Sequence, residues 1–136
     1  MEIIEDGYVF TDNVERIKLD EVCRLLKQSH WANKRPSEII KESIESSLCF
    51  AIYHNNIQIG FARVVSDYAV YSLISDVIID EKYRGNGLGT KFINFINDYP
   101  SIKNTSKVIW TRYAENLYKK CGFIKEDWYQ FMFNRP

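Results

Sequence analysis

Apolar residues in the first third of the chain recur at helical spacing in two segments. The first predicted helix, which Asp20 can cap, carries on one face Leu19, Val22, Cys23 and Leu26. Pro36 suits the first turn of a second helix, whose buried side would carry Ile40, Ile44 and Leu48. The segment between them, residues 29–35, is polar and contains a single Trp, so we expect a loop there.

From Leu48 onward the apolar pattern changes to that of β-strands. Leu48 to Tyr53 forms a short apolar run, and Asn55-Asn56 suits a tight hairpin turn because Asn tolerates a positive φ. The returning strand alternates through Ile57, Ile59, Phe61, Arg63 and Val65. A third strand, Val70 to Ile79, is predicted after the turn at residues 67–69.

The second half alternates helices and strands. A helix that stops at Pro100 is predicted from the spacing of Leu88, Phe92, Phe95, Ile96 and Tyr99. A strand from Val108 to Thr111 follows, and a last helix that ends at Gly122 presents Ala114, Leu117, Tyr118 and Cys121. Closing strands are predicted at Phe123–Ile124 and Tyr129–Phe133. The order of elements predicts an α+β fold: a mixed, mostly antiparallel sheet with helices on its faces.

Composition and charge narrow the class of protein. The 136 residues are 46% hydrophobic, and we expect residues 1–136 to form one domain. Eighteen basic and eighteen acidic residues cancel, so we expect neither a nucleic-acid nor a membrane partner. The start of the chain does not resemble a signal peptide. Cys23, Cys49 and Cys121 lack the spacing of metal ligands, which predicts reduced thiols in a cytoplasmic protein with no metal.

The turn after the third strand has the composition of an anion site. Three glycines fall within five residues, at Gly85, Gly87 and Gly89, and a helix follows. Without Cβ atoms, backbone amides can face one point, and the helix start adds free N–H groups and positive dipole charge. Arg84 at the entrance adds a full positive charge. This combination suits a phosphate or a pyrophosphate, although a glycine-rich turn can also simply start a helix.

Two common nucleotide-binding loops fit this segment poorly. A dinucleotide-binding fold needs Gly-x-Gly-x-x-Gly within a parallel βαβ unit, whereas Thr90 follows the last glycine and hairpin strands precede the turn. A phosphate-binding NTPase loop needs Gly-Lys-Ser/Thr, but the sequence here is Gly89-Thr90-Lys91.

Two motifs in this chain resemble those of the GNAT superfamily of N-acetyltransferases. The segment from Tyr83 to Gly89 is similar to the pattern Arg/Gln-x-x-Gly-x-Gly/Ala. Residues 114–123 match the second signature, Ala-x-x-Leu-Tyr-x-x-x-Gly-Phe. The resemblance extends from about Arg16 to Phe123. Residues 60–65 and 76–79 look like a small bacterial branch of the family whose acceptors are unassigned.

The resemblance implies a three-layer domain with splayed central parallel strands and acetyl-CoA as cosubstrate. The pantetheine would pair with the backbone of Val77, Ile78 and Ile79. The pyrophosphate would lie on the amides of Arg84, Gly85, Asn86, Gly87, Leu88, Gly89 and Thr90. Thr111 stands where many members have Asn near the pantetheine, which leaves its contact with the cofactor open.

Direct transfer to an amine requires a base, an oxyanion donor and a group for the leaving thiolate. Asp76, which interrupts an apolar strand, is our predicted base, and Glu81 or an ordered water remains an alternative. The resemblance assigns Tyr118 to the thioester sulfur as general acid or hydrogen-bond donor, and the amide of Val77 to the oxyanion. The alternative for both Asp76 and Tyr118 is a purely structural role.

The residues that would contact the acceptor are harder to assign. Trp31, Arg63 and Asp67 are the candidates for its pocket. We expect an enzyme that acetylates a primary amine of a small molecule, or a protein amine. A non-catalytic acyl-CoA sensor is the alternative, but binding alone requires neither Tyr118 nor Asp76. Aromatic residues near the end of the chain are compatible with a homodimer.

Overall fold

A single curled sheet of six strands organises the computed structural model, which describes residues 1–136. The strands lie in chain order across the sheet: β1 (Glu2–Glu5), β2 (Tyr8–Thr11), β3 (Leu48–His54), β4 (Ile57–Ser66), β5 (Tyr71–Ile79) and β6 (Ser106–Val108). The helices are α1 (Leu19–Leu26), α2 (Ser37–Glu45), α3 (Leu88–Asn97) and α4 (Glu115–Lys120). None of them combines the length and hydropathy that a membrane crossing requires.

The sheet is antiparallel from β1 to β5 and parallel only between β5 and β6. The parallel ladder is short, because Tyr71–Leu73 pair with Ser106–Val108 and no further residues join. Beyond Leu73 the outer edge of β5 therefore has no strand partner. The α+β class and the mixed, mostly antiparallel sheet are confirmed.

Two hydrophobic clusters place helices on both faces of the sheet, as predicted. One face buries Phe92, Ile93 and Ile96 of α3 together with Phe50 and Ile74 of the sheet. The opposite face buries Val22, Leu25 and Leu26 of α1 against strand residues Phe61 and Ile78. Leu48 begins β3 rather than ending α2, because Ser46 and Ser47 separate the two elements.

The N-terminal hairpin was missed in the sequence analysis. Asp6 and Gly7 form its turn with φ of 52° and 82°, and β2 then pairs with β3. Asp-Gly is a strong signal for such a turn, since both central residues need a positive φ. All four residues of β1 are exposed, which explains why hydrophobic periodicity did not reveal the strand.

The predicted strands at the end of the chain are wrong. Residues 123–136 form no strand, and β6 lies at Ser106–Val108 rather than Val108–Thr111. The aromatic alternation that suggested a strand serves side-chain packing instead: the ring of Trp110 lies 5.3 Å from that of Phe131 and 5.4 Å from that of Phe133. A strand requires a sheet edge to pair with, and this segment pairs with none.

Candidate active site

The glycine-rich turn lies between the end of β5 and the start of α3. Asp80 follows β5 and caps a short 3₁₀ turn, Glu81–Tyr83, by accepting from the amide of Lys82 at 3.2 Å. Arg24 of α1 holds the same carboxylate at 2.9 Å. These contacts attach Asp80, which precedes the glycines, to α1 on the face of the sheet opposite α3.

Backbone amides in this turn have no acceptor within the chain. Gly85 and Gly87 adopt φ of 86° and 74°, a left-handed conformation that side chains disfavour. No group of the chain accepts a hydrogen bond from the amides of residues 85–90. Residues 84–87 are exposed, whereas Leu88 is 3% exposed and anchors the first turn of α3. A row of free N–H donors at the start of a helix can bind an anion.

Gly89 has a second role, in packing. A Cβ atom built there would lie 2.9 Å from Cδ1 of Leu117, a residue of α4. The missing side chain therefore lets α3 and α4 approach closely, which places α4, and with it Tyr118, next to the glycine-rich turn.

The positive charges near the turn differ in availability. Arg84 is exposed, and its Nε donates to the carbonyl of Ile79 at 3.0 Å, leaving its other donors free. Lys91 is instead held by Glu5 and Asp6 of the N-terminal hairpin, both at 3.2 Å. Arg84 is thus the cation that the turn itself presents.

A β-bulge in β5 lies beside the open edge of the strand. The register passes from Phe61–Ile78 to Arg63–Ser75, so that Asp76 and Val77 together face Ala62. Asp76 has a φ of 52°, which accommodates the extra residue. One extra residue also reverses the faces of the strand. Ile74 before the bulge belongs to the α3 face, whereas Ile78 after it belongs to the α1 face.

Asp76 is the centre of a buried polar cluster. Its side chain is 1% exposed, and Oδ2 accepts from Nη1 of Arg35 at 2.7 Å and from Nε of Arg63 at 2.6 Å. Oδ1 accepts from Nε1 of Trp31 at 2.9 Å. Trp31 and Arg35 belong to the loop between α1 and α2, so this carboxylate fixes the loop to the sheet.

These contacts do not fit the general-base role predicted for Asp76. Burial raises the pKa of Asp76, but hydrogen bonds and positive charge from Arg35 and Arg63 outweigh it and hold the pKa below its ordinary value. An effective base near neutral pH needs a pKa close to that pH. The environment instead favours a positioning role. Sequence reasoning missed Arg35, because its partner lies 41 residues away.

Tyr118 presents its hydroxyl from a buried ring. The residue is 9% exposed, and its ring packs edge-on against Phe123 at 5.5 Å. Burial, with a smaller contribution from Cys121, raises the pKa of Tyr118 to about 12. The hydroxyl has no hydrogen-bond partner within the chain and still reaches solvent. A protonated, unpartnered phenol is available to an external acceptor.

The three residues predicted for the acceptor pocket separate into two groups. Trp31 and Arg63 meet at Asp76. Asp67 does not join them, because its Oδ1 accepts from the amides of Ala69, Val70 and Tyr71 and so closes the β4–β5 turn. These bonds lower the pKa of Asp67.

His30 and Tyr113, which the sequence analysis did not assign, continue a row of aromatic contacts from Trp31. The His30 ring is 5.1 Å from that of Trp31 and 5.1 Å from that of Tyr113. The α1–α2 loop thus contacts the segment after β6. Thr111 in that segment accepts from the amide of Ala114 at 3.0 Å, which is a turn contact ahead of α4.

Comparison with known proteins identifies the family. A model of the acetyltransferase (GNAT) domain matches residues 45–125. The chain is 30% identical over 132 residues to the uncharacterized N-acetyltransferase ycf52 of Porphyra purpurea, covering 90% of this chain and 74% of that protein.

Solved structures show the same fold. A GNAT-family acetyltransferase of Xanthomonas campestris superposes with a TM-score of 0.87 at 25% identity, covering 98% of this chain and 95% of that one. A GNAT acetyltransferase of Elizabethkingia anophelis with acetyl-CoA bound gives a TM-score of 0.70 at 20% identity, covering 90% and 80%. From its motifs, its fold and these matches, the chain belongs to the GNAT family of acetyltransferases.

Proposed function

We propose that this protein transfers the acetyl group of acetyl-CoA to a primary amine of a small molecule, or to a protein amine, by direct attack in a ternary complex. The observation that carries the proposal is the row of amides at residues 85–90, which have no acceptor in the chain and lie at the start of α3. A glycine-rich turn at a helix start provides such donors together with positive dipole charge, which suits a pyrophosphate.

The cosubstrate would bind along β5 and the turn. The pyrophosphate would accept from the free amides of residues 85–90, and the side chain of Arg84 would neutralise charge. The pantetheine would pair with the edge of β5 at Val77, Ile78 and Ile79, where no strand pairs beyond Leu73. The thioester would then lie near the bulge and near the hydroxyl of Tyr118.

Tyr118 would act by hydrogen bonding rather than by complete proton transfer. Its pKa of about 12 exceeds that of an ordinary thiol, ~8.5, by about 3.5 units, which makes full transfer uphill by about 5 kcal/mol. A hydrogen bond to the developing thiolate avoids this cost. The amide of Val77, at the bulge, would meet the oxyanion.

Direct attack is favoured over a covalent acetyl-enzyme. The only cysteine beside Tyr118 is Cys121, and burial raises the pKa of its thiol. Its Sγ lies 3.7 Å from the carbonyl oxygen of Thr90 as a weak donor. A half-buried thiol whose pKa is raised is a poor nucleophile. Asp76 would position Trp31, Arg35 and Arg63 around the acceptor.

Two assays test this function together. In a thermal-shift screen with acetyl-CoA, CoA, NAD and ATP, we expect stabilisation by acetyl-CoA and CoA only. Release of free thiol is then measured across a panel of amines, and at least one should give turnover. Stabilisation by NAD or ATP instead would refute the proposal. Stabilisation by acetyl-CoA with no thiol release from any amine would favour the acyl-CoA sensor.

A further inference from the structure

The cluster beside the bulge carries more positive than negative charge. Arg35 and Arg63 both donate to Asp76, and neither has another carboxylate within ion-pair distance. The remaining contacts of the cluster, the indole of Trp31 and the hydroxyl of Ser47, are neutral. Two guanidinium groups thus share one carboxylate, which leaves a net charge of one positive unit.

Several hydrogen-bond donors of this cluster are unused. A guanidinium has five N–H donors. Arg35 donates only through Nη1, to Asp76, and Arg63 through Nε and through Nη1, which reaches Ser47 Oγ at 3.3 Å. Nε and Nη2 of Arg35 and Nη2 of Arg63 have no acceptor in the chain. Water can satisfy these donors in the free protein, and an anion that replaced the water would form charge-assisted hydrogen bonds with both guanidinium groups.

The excess charge lies where an acceptor molecule would bind. Arg63 is paired across the sheet with Ser75, next to the bulge, and Arg35 reaches Asp76 of the bulge from the loop between α1 and α2. The side chain of Arg35 is 24% exposed and that of Arg63 is 17% exposed, so solvent still reaches both. An anion bound here would lie close to the proposed thioester position at Val77.

We propose that Arg35 and Arg63 bind an anionic group of the acceptor, a carboxylate or a phosphate, and that the substrates are amines that carry such a group. This inference rests on the proposed acetyl transfer and names the substrate class for it. Guanidinium groups suit both anions, because their fork of N–H donors matches planar and tetrahedral oxyanions alike. Asp76 holds the two forks in place and offsets part of their charge.

The experiment compares amines in pairs that differ by the anionic group: alanine with ethylamine, tyrosine with tyramine, and glucosamine 6-phosphate with glucosamine. The measurement is kcat/KM from thiol release, corrected to the free-amine fraction. We expect the anionic member of at least one pair to be favoured about 10- to 100-fold, the range of charge-assisted hydrogen bonds. The amino-acid pairs report a carboxylate, and the sugar pair reports a phosphate.

Variants separate anion binding from a merely structural role. Arg35→Gln should lower kcat/KM for the anionic member more than for its uncharged partner, so that the ratio between the two falls, while Arg35→Lys should restore part of the preference. The matched control is Arg24→Gln: Arg24 already pairs with both Glu21 and Asp80, so its loss should not change the ratio. Equal losses for both members in Arg35→Gln, or a wild-type preference for uncharged amines, would overturn the inference.

A binding readout keeps this test independent of turnover. Inorganic phosphate or acetate, added at constant ionic strength with saturating CoA, should raise the Tm of the wild type more than that of Arg35→Gln. Binding at the glycine-rich turn contributes equally to both proteins and cancels. Equal shifts would count against the arginine site. Failure of the proposed function has a different signature, namely no stabilisation by acetyl-CoA and no thiol release from any amine.

Discussion

Replacing Tyr118 by Phe removes one hydroxyl that has no hydrogen-bond partner in the chain. The effect on turnover can therefore be separated from effects on stability and on acetyl-CoA affinity. Because the hydroxyl has no internal partner, its loss leaves no buried polar group unsatisfied, and the free energy of unfolding should be nearly unchanged. The ring stays in its contact with Phe123. Affinity for acetyl-CoA should also stay the same, since the proposed pyrophosphate and pantetheine contacts do not involve Tyr118.

Turnover should fall in the same variant. A hydrogen bond to a charged group contributes about 1.5–3 kcal/mol, and because each 1.36 kcal/mol of activation free energy is tenfold in rate, kcat should fall about 10- to 150-fold. The assay is thiol release under saturating acetyl-CoA and acceptor. KM for acetyl-CoA should not change, because this bond forms only as the thiolate develops.

The matched control is Tyr99→Phe, which should give the opposite pattern. The Tyr99 hydroxyl donates to Asp12, so its removal should lower the Tm while leaving kcat unchanged. If Tyr118→Phe turns over at the wild-type rate, Tyr118 has no part in the chemistry. If it instead loses stability as Tyr99→Phe does, its role is structural.

Three further outcomes follow from the site. Gly87→Ala should weaken acetyl-CoA binding and lower the free energy of unfolding by about 1–2 kcal/mol, because φ is 74° there. The control Gly7→Ala, at a φ of 82°, should lower the free energy of unfolding without changing the affinity. Unchanged affinity of Gly87→Ala in a calorimetric titration would refute this prediction. Asp76→Asn should cost about 3–5 kcal/mol in urea unfolding at pH 7, since two arginines lose their counter-ion. Because the folded-state pKa of Asp76 is lowered, its contribution is present above its unfolded pKa of ~3.9 and is lost as the pH falls through the folded value, so the gap between wild type and variant should narrow below about pH 4. A wide gap that persists in acid would contradict the ion pairs. If no carboxylate acts as the base, log(kcat/KM) for an alkylamine should rise with pH with a slope near 1 between about pH 6 and 9, because the fraction of free amine increases. A flat profile over that range would indicate that a carboxylate is the base after all.

The glycine-rich turn was predictable from the sequence because its conformation depends on local residues. The positive φ of Gly85 and Gly87 and the start of α3 depend on neighbouring residues, and the structure places them as expected. The helices on both faces follow from apolar spacing for the same reason. The Asp-Gly turn of the first hairpin could also have been predicted, but β1 is exposed throughout and has no apolar alternation that would have supported a strand.

Features that depend on distant partners could not be predicted from pattern alone. The carboxylate of Asp76 looked like a free base in an apolar strand, yet its protonation behaviour is set by Arg35 and Arg63, 41 and 13 residues away. The tail from Tyr129 to Phe133 has strand-like residues, but strand formation depends on an available edge. Its rings pack on Trp110 instead.

The most direct test of the cosubstrate site is an NMR titration of ¹⁵N-labelled protein with CoA. The amides of residues 85–90, which donate to no group of the chain, should show the largest shifts and the greatest slowing of hydrogen exchange. S-acetylpantetheine, which has no pyrophosphate, should leave them unmoved. If CoA binds while these amides keep their free-state positions and exchange rates, the turn does not hold the pyrophosphate.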